Sequence, residues 1–174
     1  KETEILAVVH NSASPEGAGA ISVINRYHNR DHIPIGAYAG TIGDPNGTSR
    51  MSPWGFVRIP PQSPWQIGPY VPDLVRTFPG DRVRNSSMAD GDSVTVMRRA
   101  LASAADRSVT IVSVGYATNL HDMLLSSGDG ISPLAGPELV SAKVKQLVMM
   151  GGRRNHVEWN FAGAEANGIS VCGG

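Results

Sequence analysis

Apolar positions along the chain alternate between short continuous runs and helical spacings. Glu4 to Val9 (EILAVV) is an apolar, β-branched run that predicts a buried strand. A polar loop, HNSASPEG, follows. Ala20, Ile21, Ile24 and Tyr27 then recur at helical spacing, with Pro15 and Glu16 suited to a first turn. IPIGAYAG predicts a second short strand that ends at Gly40. After a long interruption, Val94, Met97, Leu101 and Ala104 mark one face of another helix. SVTIVSVG is the strongest strand signal, apolar enough to be central in a parallel sheet. ATNLHDMLLSS and GPELVSAKV predict two further helices, and KQLVMMGG a last strand. This alternation predicts an α/β fold: a mostly parallel open sheet with helices on both faces.

The interruption spans residues 41 to 87. Eight of the twelve prolines lie between Pro45 and Pro79, which disfavours regular structure through most of it. Trp54, Phe56, Trp65 and Tyr70 also sit there. The expectation is an ordered lid or insertion with aromatic side chains available for stacking. The whole chain of 174 residues reads as a single, partial domain with this insertion within it.

Composition narrows the function. Fifteen basic and fifteen acidic residues balance, so the chain lacks the basic face of a nucleic-acid polymer binder. No apolar run approaches the roughly 18 residues of a membrane span, and no stretch reads as a signal peptide. Cys172 is the only cysteine, so neither an internal disulfide nor a cysteine zinc cluster can form. Asn46-Gly47-Thr48 and Asn85-Ser86-Ser87 are N-glycosylation sequons. A soluble, cytoplasmic protein is favoured, and the sequons keep secretion open. The entry into a strand almost at residue 1 suits a mature form or a fragment.

In open α/β sheets ligands bind beyond the carboxyl ends of the strands. His10, Asn11 and Ser12 follow the first strand. Gly115 to Asn119 follow SVTIVSV, and Asn155, His156, Glu158 and Asn160 follow the last. These groups are neutral or acidic, which suits a sugar better than a phosphate. Each has a plainer reading. Asn11 could turn the chain, Asn119 could be a helix N-cap, and Glu158 with Asn160 could cap a helix. Their convergence on one edge favours a site. GAGAIS lies too far after its strand for a dinucleotide fingerprint. His28, His32 and His121 lack ligand-like spacing, and His121 is expected on an exposed helix face. No elbow motif seats the serine of a triad.

Four segments, in order, resemble the inosine/uridine-preferring nucleoside hydrolase family. VTIVSVGYATNL is similar to a strand ending in G-x-x-T-N-L, and KVKQLVMMGG to K-x-L-V-x-M-G-G. EWNFAGAEA resembles E-F-N-x-x-x-D-P-E-A. EILAVVHN with RDHIPIGAYAG resembles the early L-x-x-V-x-x-x-x-G-N … I-P-V-Y-x-G region. Residues 4 to 40 and roughly 94 to 166 carry the likeness.

The resemblance implies an N-ribohydrolase that cleaves ribonucleosides to ribose and free base with bound Ca²⁺. It implies that Asn11, Glu158 and Asn160 contact ribose, that Asn155 stands for a further asparagine closer to Glu158 than the family pattern has it, and that the Val114 carbonyl binds calcium. The side chains of Asn11, Glu158 and Asn160 and the Val114 carbonyl are then expected around one cleft. The chain departs from the family in lacking its leading Asp-rich motif and its later Asp and His. The catalytic base and acid are therefore expected outside this chain, and GAEAN replaces D-P-E-A-A. The alternative is a non-catalytic ribose- or sugar-binding or interaction protein on the same scaffold. The implied partner is a nucleoside or ribose-like molecule. Homo-oligomerisation is expected if the missing strand leaves a sheet edge open.

Overall fold

A computed structural model describes residues 3–10, 16–38, 70–78, 82–114 and 117–149. The chain is α/β. It divides into two compact units, Lys1–Met97 and Arg98–Gly174.

The first unit is built on three short parallel strands: β1 (Val8–His10), β2 (Ile35–Ala37) and β3 (Gly91–Asp92), in the order β1-β2-β3. Val8 pairs with Ile35 and His10 with Ala37, while Gly36 pairs with Gly91 and Ala37 with Asp92. The first strand is shorter than the run EILAVV suggests, because pairing sets its length. β2 begins just after Pro34, which has no N–H to give a ladder. The Pro34 carbonyl instead accepts from the Val8 amide at 3.0 Å. Asp90 fixes the entry of β2 as well, accepting from the Ile35 amide at 2.7 Å and pairing with Arg82.

Helix α1 (Gly17–Tyr27) crosses from β1 to β2, as a parallel pair requires. Its buried face differs from the one its large residues predict. Gly17, Ala18, Gly19, Ala20, Ser22, Val23 and Asn25 are buried. Tyr27 is 81% exposed and Ile24 half exposed. Small residues win because the backbone approaches closely. A Cβ on Gly19 would overlap the Arg84 carbonyl, and one on Gly17 would overlap the His10 ring. Ala18, Ile35 and Val83 form the buried cluster beneath, with Ile21 against it.

The described part of residues 41 to 87 holds one short helix rather than wholly irregular chain. Helix α2 (Tyr70–Thr77) lies within it, followed by a 3₁₀ turn at Ser86–Met88. Pro72 does not prevent α2, because it sits in the first turn, where an N–H has no intrahelical acceptor. Trp54 and Trp65 lie outside the described residues.

Helix α3 (Ser93–Ser103) starts at Asp92, whose carboxylate accepts from the Thr95 amide at 2.9 Å and the Thr95 hydroxyl at 2.5 Å. Met97 and Leu101 are buried as their spacing predicts, but Val94 and Ala104 are only half-buried. Ser93, Val96 and Arg98 take the remaining buried positions.

The second unit holds β4 (Val109–Ser113) and β5 (Val144–Met149), parallel neighbours with Ser113 opposite Met149. Helices α4 (Thr118–Leu125) and α5 (Gly136–Lys143) connect them. Pro137 and Glu138 sit in the first turn of α5 and Lys143 in its last, each suited to that end of the helix dipole. The strand expected to be buried on both faces is not. Val112 is 62% and Val114 67% exposed, whereas Ser113 is buried. Among the described residues β4 pairs with β5 alone. The alternation of a strand thus leaves one set of its side chains outward.

Between α4 and α5, residues 126 to 135 wrap around Arg98, which is 1% exposed. Its Nε and Nη2 donate to the two carboxylate oxygens of Asp129, at 2.9 and 3.0 Å. Nη2 also donates to the carbonyls of Ser132 and Leu134, and Nη1 to the Ser126 hydroxyl, each at 2.9 Å. A buried guanidinium needs acceptors in its plane, and this loop supplies them.

Candidate functional site

The carboxyl ends of the strands are where sheet geometry and sequence both point. In the second unit, β4 delivers Val114 to this edge. The register of Ser113 against Met149 sets the carboxyl end of β5 at the same edge. Asn155, Glu158 and Asn160 follow β5 in the chain and lie outside the described residues. Helix α4 begins nearby, with Ala117 as its N-cap and no side-chain cap bond. The reading of Asn119 as an N-cap is therefore corrected. Asn119 is the second helical residue and only 3% exposed, so its amide is packed rather than capping. His121 is exposed as expected and lies 3.0 Å from the Asp122 carboxylate.

In the first unit, β1 ends at His10, next to the point where Asn11 leaves the described residues. The His10 carbonyl accepts from the Tyr38 amide at 3.0 Å, which ties the ends of β1 and β2. The His10 ring lies over Gly17 at the start of α1. Burial lowers its pKa below the ordinary 6.5, so the imidazole is neutral at neutral pH. A neutral ring carries one donor and one acceptor nitrogen and can take up a proton.

Asp92 reaches the same edge from β3, beside Ala37. Partial burial works to raise its pKa, but hydrogen bonds from the Thr95 hydroxyl and from backbone amides outweigh it. Its carboxyl stays below the ordinary 3.8. It is ionised, and its oxygens are engaged in capping α3. The sequence signals this role, since Asp precedes an apolar helical run by one residue, with Thr three positions on. Arg98 gives no such signal. Nothing in a helical pattern separates a buried arginine from a solvated one.

Calcium takes about six to eight oxygen ligands. Among the described residues no group of three or more His, Cys, Asp or Glu is placed to hold a metal ion. Of the implied ligands, only the Val114 carbonyl falls among them. The described residues therefore do not by themselves fit a calcium centre. Asp73, Asp90 and Asp129 pair with Arg76, Arg82 and Arg98. Among the described residues no helix is long and apolar enough to cross a membrane. Comparison of the chain with models of protein families, with curated proteins and with solved structures returns no match.

Proposed function

We propose that this chain carries the ribose-holding edge of a nucleoside N-ribohydrolase, which hydrolyses the N-glycosidic bond of ribonucleosides to ribose and free base. Asn11, Asn155, Glu158 and Asn160 are the ribose contacts in this reading. The observation that carries it is the parallel pairing of β4 with β5 in a register that sets Ser113 against Met149. The strands that lead into the segments resembling the family's G-x-x-T-N-L and M-G-G motifs thereby end at one sheet edge, which supports a shared site there.

The chemistry is displacement at the anomeric carbon through an oxocarbenium-like transition state. Hydrogen bonds to the ribose hydroxyls accelerate it to the extent that they tighten in that state. The amides of Asn11 and Asn160 and the carboxylate of Glu158 are suited to that work. No step is assigned to calcium, because the described residues do not fit it. A sugar-binding role without turnover is the second reading. It is favoured by the engagement of Asp73, Asp90, Asp92 and Asp129 in caps and ion pairs.

The test is the chain with inosine and uridine, with and without added Ca²⁺, read by calorimetric binding and by release of reducing sugar. Saturable binding that Glu158→Ala and Asn160→Ala each weaken at least tenfold supports the ribose site. Sugar release then selects the hydrolase over the binding protein. A folded chain that neither binds nor cleaves either nucleoside overturns both readings.

A further inference from the structure

We propose that Asn85 is a competent acceptor for N-linked glycan when the chain enters a secretory compartment. Of the two sequons, Asn85-Ser86-Ser87 lies among the described residues, and its geometry goes beyond the motif. Asn85 is in extended backbone, φ −155° and ψ 173°, immediately before the 3₁₀ turn. The Ser87 hydroxyl donates to Asn85 Oδ1 at 2.6 Å. The carboxamide oxygen is thus bound by the hydroxyl that the sequon requires, and no described residue accepts from Nδ2. A hydrogen bond to the amide oxygen draws electron density from nitrogen and makes the N–H more acidic, which favours its loss during transfer.

The surroundings suit a large substituent. Arg84, Ser87 and Met88 are exposed and Asn85 is half-buried. Val83, two residues earlier, is fully buried and anchors the segment in the core cluster with Ala18 and Ile35. A glycan here would leave from a fixed backbone on an outward surface and displace no core side chain. The donor is a saccharide linked through its anomeric carbon to a polyprenyl diphosphate. Asn85 Nδ2 attacks that carbon, the N–C bond forms and the C–O bond to the diphosphate breaks. The polyprenyl diphosphate leaves with the electron pair, and the amide proton passes to a base of the transferring enzyme. The product adds a bulky, solubilising surface group.

The experiment is secretion of the full chain, behind a cleavable leader, from a eukaryotic host, with glycopeptide mass spectrometry at Asn85. Peptide mapping keeps it apart from Asn46. The expected result is an occupied Asn85 whose glycan peptide-N-glycosidase removes from the native, undenatured protein. Occupancy is lost in Asn85→Gln and in Ser87→Ala and retained in Ser87→Thr, which keeps the hydroxyl. A bare Asn85 in both the secreted parent and the Ser87→Thr variant overturns the proposal. Occupancy that persists in Ser87→Ala overturns the role given to the hydroxyl.

Discussion

Arg98 shows how one side chain decides the form of its neighbourhood. It is buried, and its donors meet a carboxylate, a hydroxyl and two carbonyls. Removing one member of a buried polar set leaves the others without partners, at a cost of about 3 kcal/mol or more. Arg98→Ala is therefore expected to lower stability by about 3 kcal/mol in urea unfolding, and a loss under about 1 kcal/mol would mean that the loop reorganises around water. Asp129 adds a pH signature. Its hydrogen bond to Arg98, followed by the Ser132 amide, holds its pKa at about 2 against an ordinary 3.8. A depressed acid pKa contributes stability that is complete above the unfolded value and lost as pH falls through the folded one. That contribution should fade between pH 3.8 and about 2. Asp129→Asn should flatten the pH dependence of the urea midpoint in that window, and an unchanged slope would place its source elsewhere.

At the scale of elements, small residues set the docking of α1. Alanine in place of a helical glycine gains about 1 kcal/mol in propensity. At Gly19 the new Cβ would overlap the Arg84 carbonyl, a backbone atom that cannot rotate away. Overpacking of this kind costs about 1–3 kcal/mol, so Gly19→Ala should destabilise the protein on balance. Thermal melting decides it, and a raised midpoint would show that α1 can shift. The N-cap of α3 offers a cleaner test. Asp92→Ala should cost about 1 kcal/mol, while Asp92→Asn, which keeps a side-chain oxygen, should recover most of it. Apart from α2 and the two-residue β3, the order of helices and strands was legible because each segment keeps one period long enough to read. Faces were harder. In α1 the large residues Ile24 and Tyr27 predicted the wrong side, since close backbone approach selects glycine and alanine, and hydrophobicity does not register that. In β4 an apolar run suggested a central strand, but what packs on each of its faces is a tertiary fact that a run cannot encode.

For the whole molecule, ligand binding and stability are linked. A nucleoside that binds only the folded chain should stabilise it by about 2.7 kcal/mol at a concentration 100 times its Kd. A rise in melting temperature with inosine, absent with an equal concentration of free hypoxanthine, would attribute binding to the sugar. A rise with the base alone would turn attention to stacking instead. Of the site, only the strand end that leads to it can be compared with the sequence. β4 ends at Ser113, one residue short of Val114, which the expected strand included, and Asn11, Asn155, Glu158 and Asn160 fall outside the described residues. Asp92 was missed at the sheet edge because β3 is two residues long, too short for any periodicity to mark.

The loop held by Arg98 has a consequence for how the chain can vary. Connecting loops usually accept insertions and deletions, because little depends on their length. Between Ser126 and Leu134, however, the acceptors stand at fixed intervals: the hydroxyl of Ser126, the carboxylate of Asp129, then the carbonyls of Ser132 and Leu134. One added or lost residue would slide some of them off the guanidinium while leaving others in place. Substitution at Gly130 meets open space, so spelling can change there while the count cannot. This stretch behaves less like a tether than like a ruler, and length itself is its inherited character.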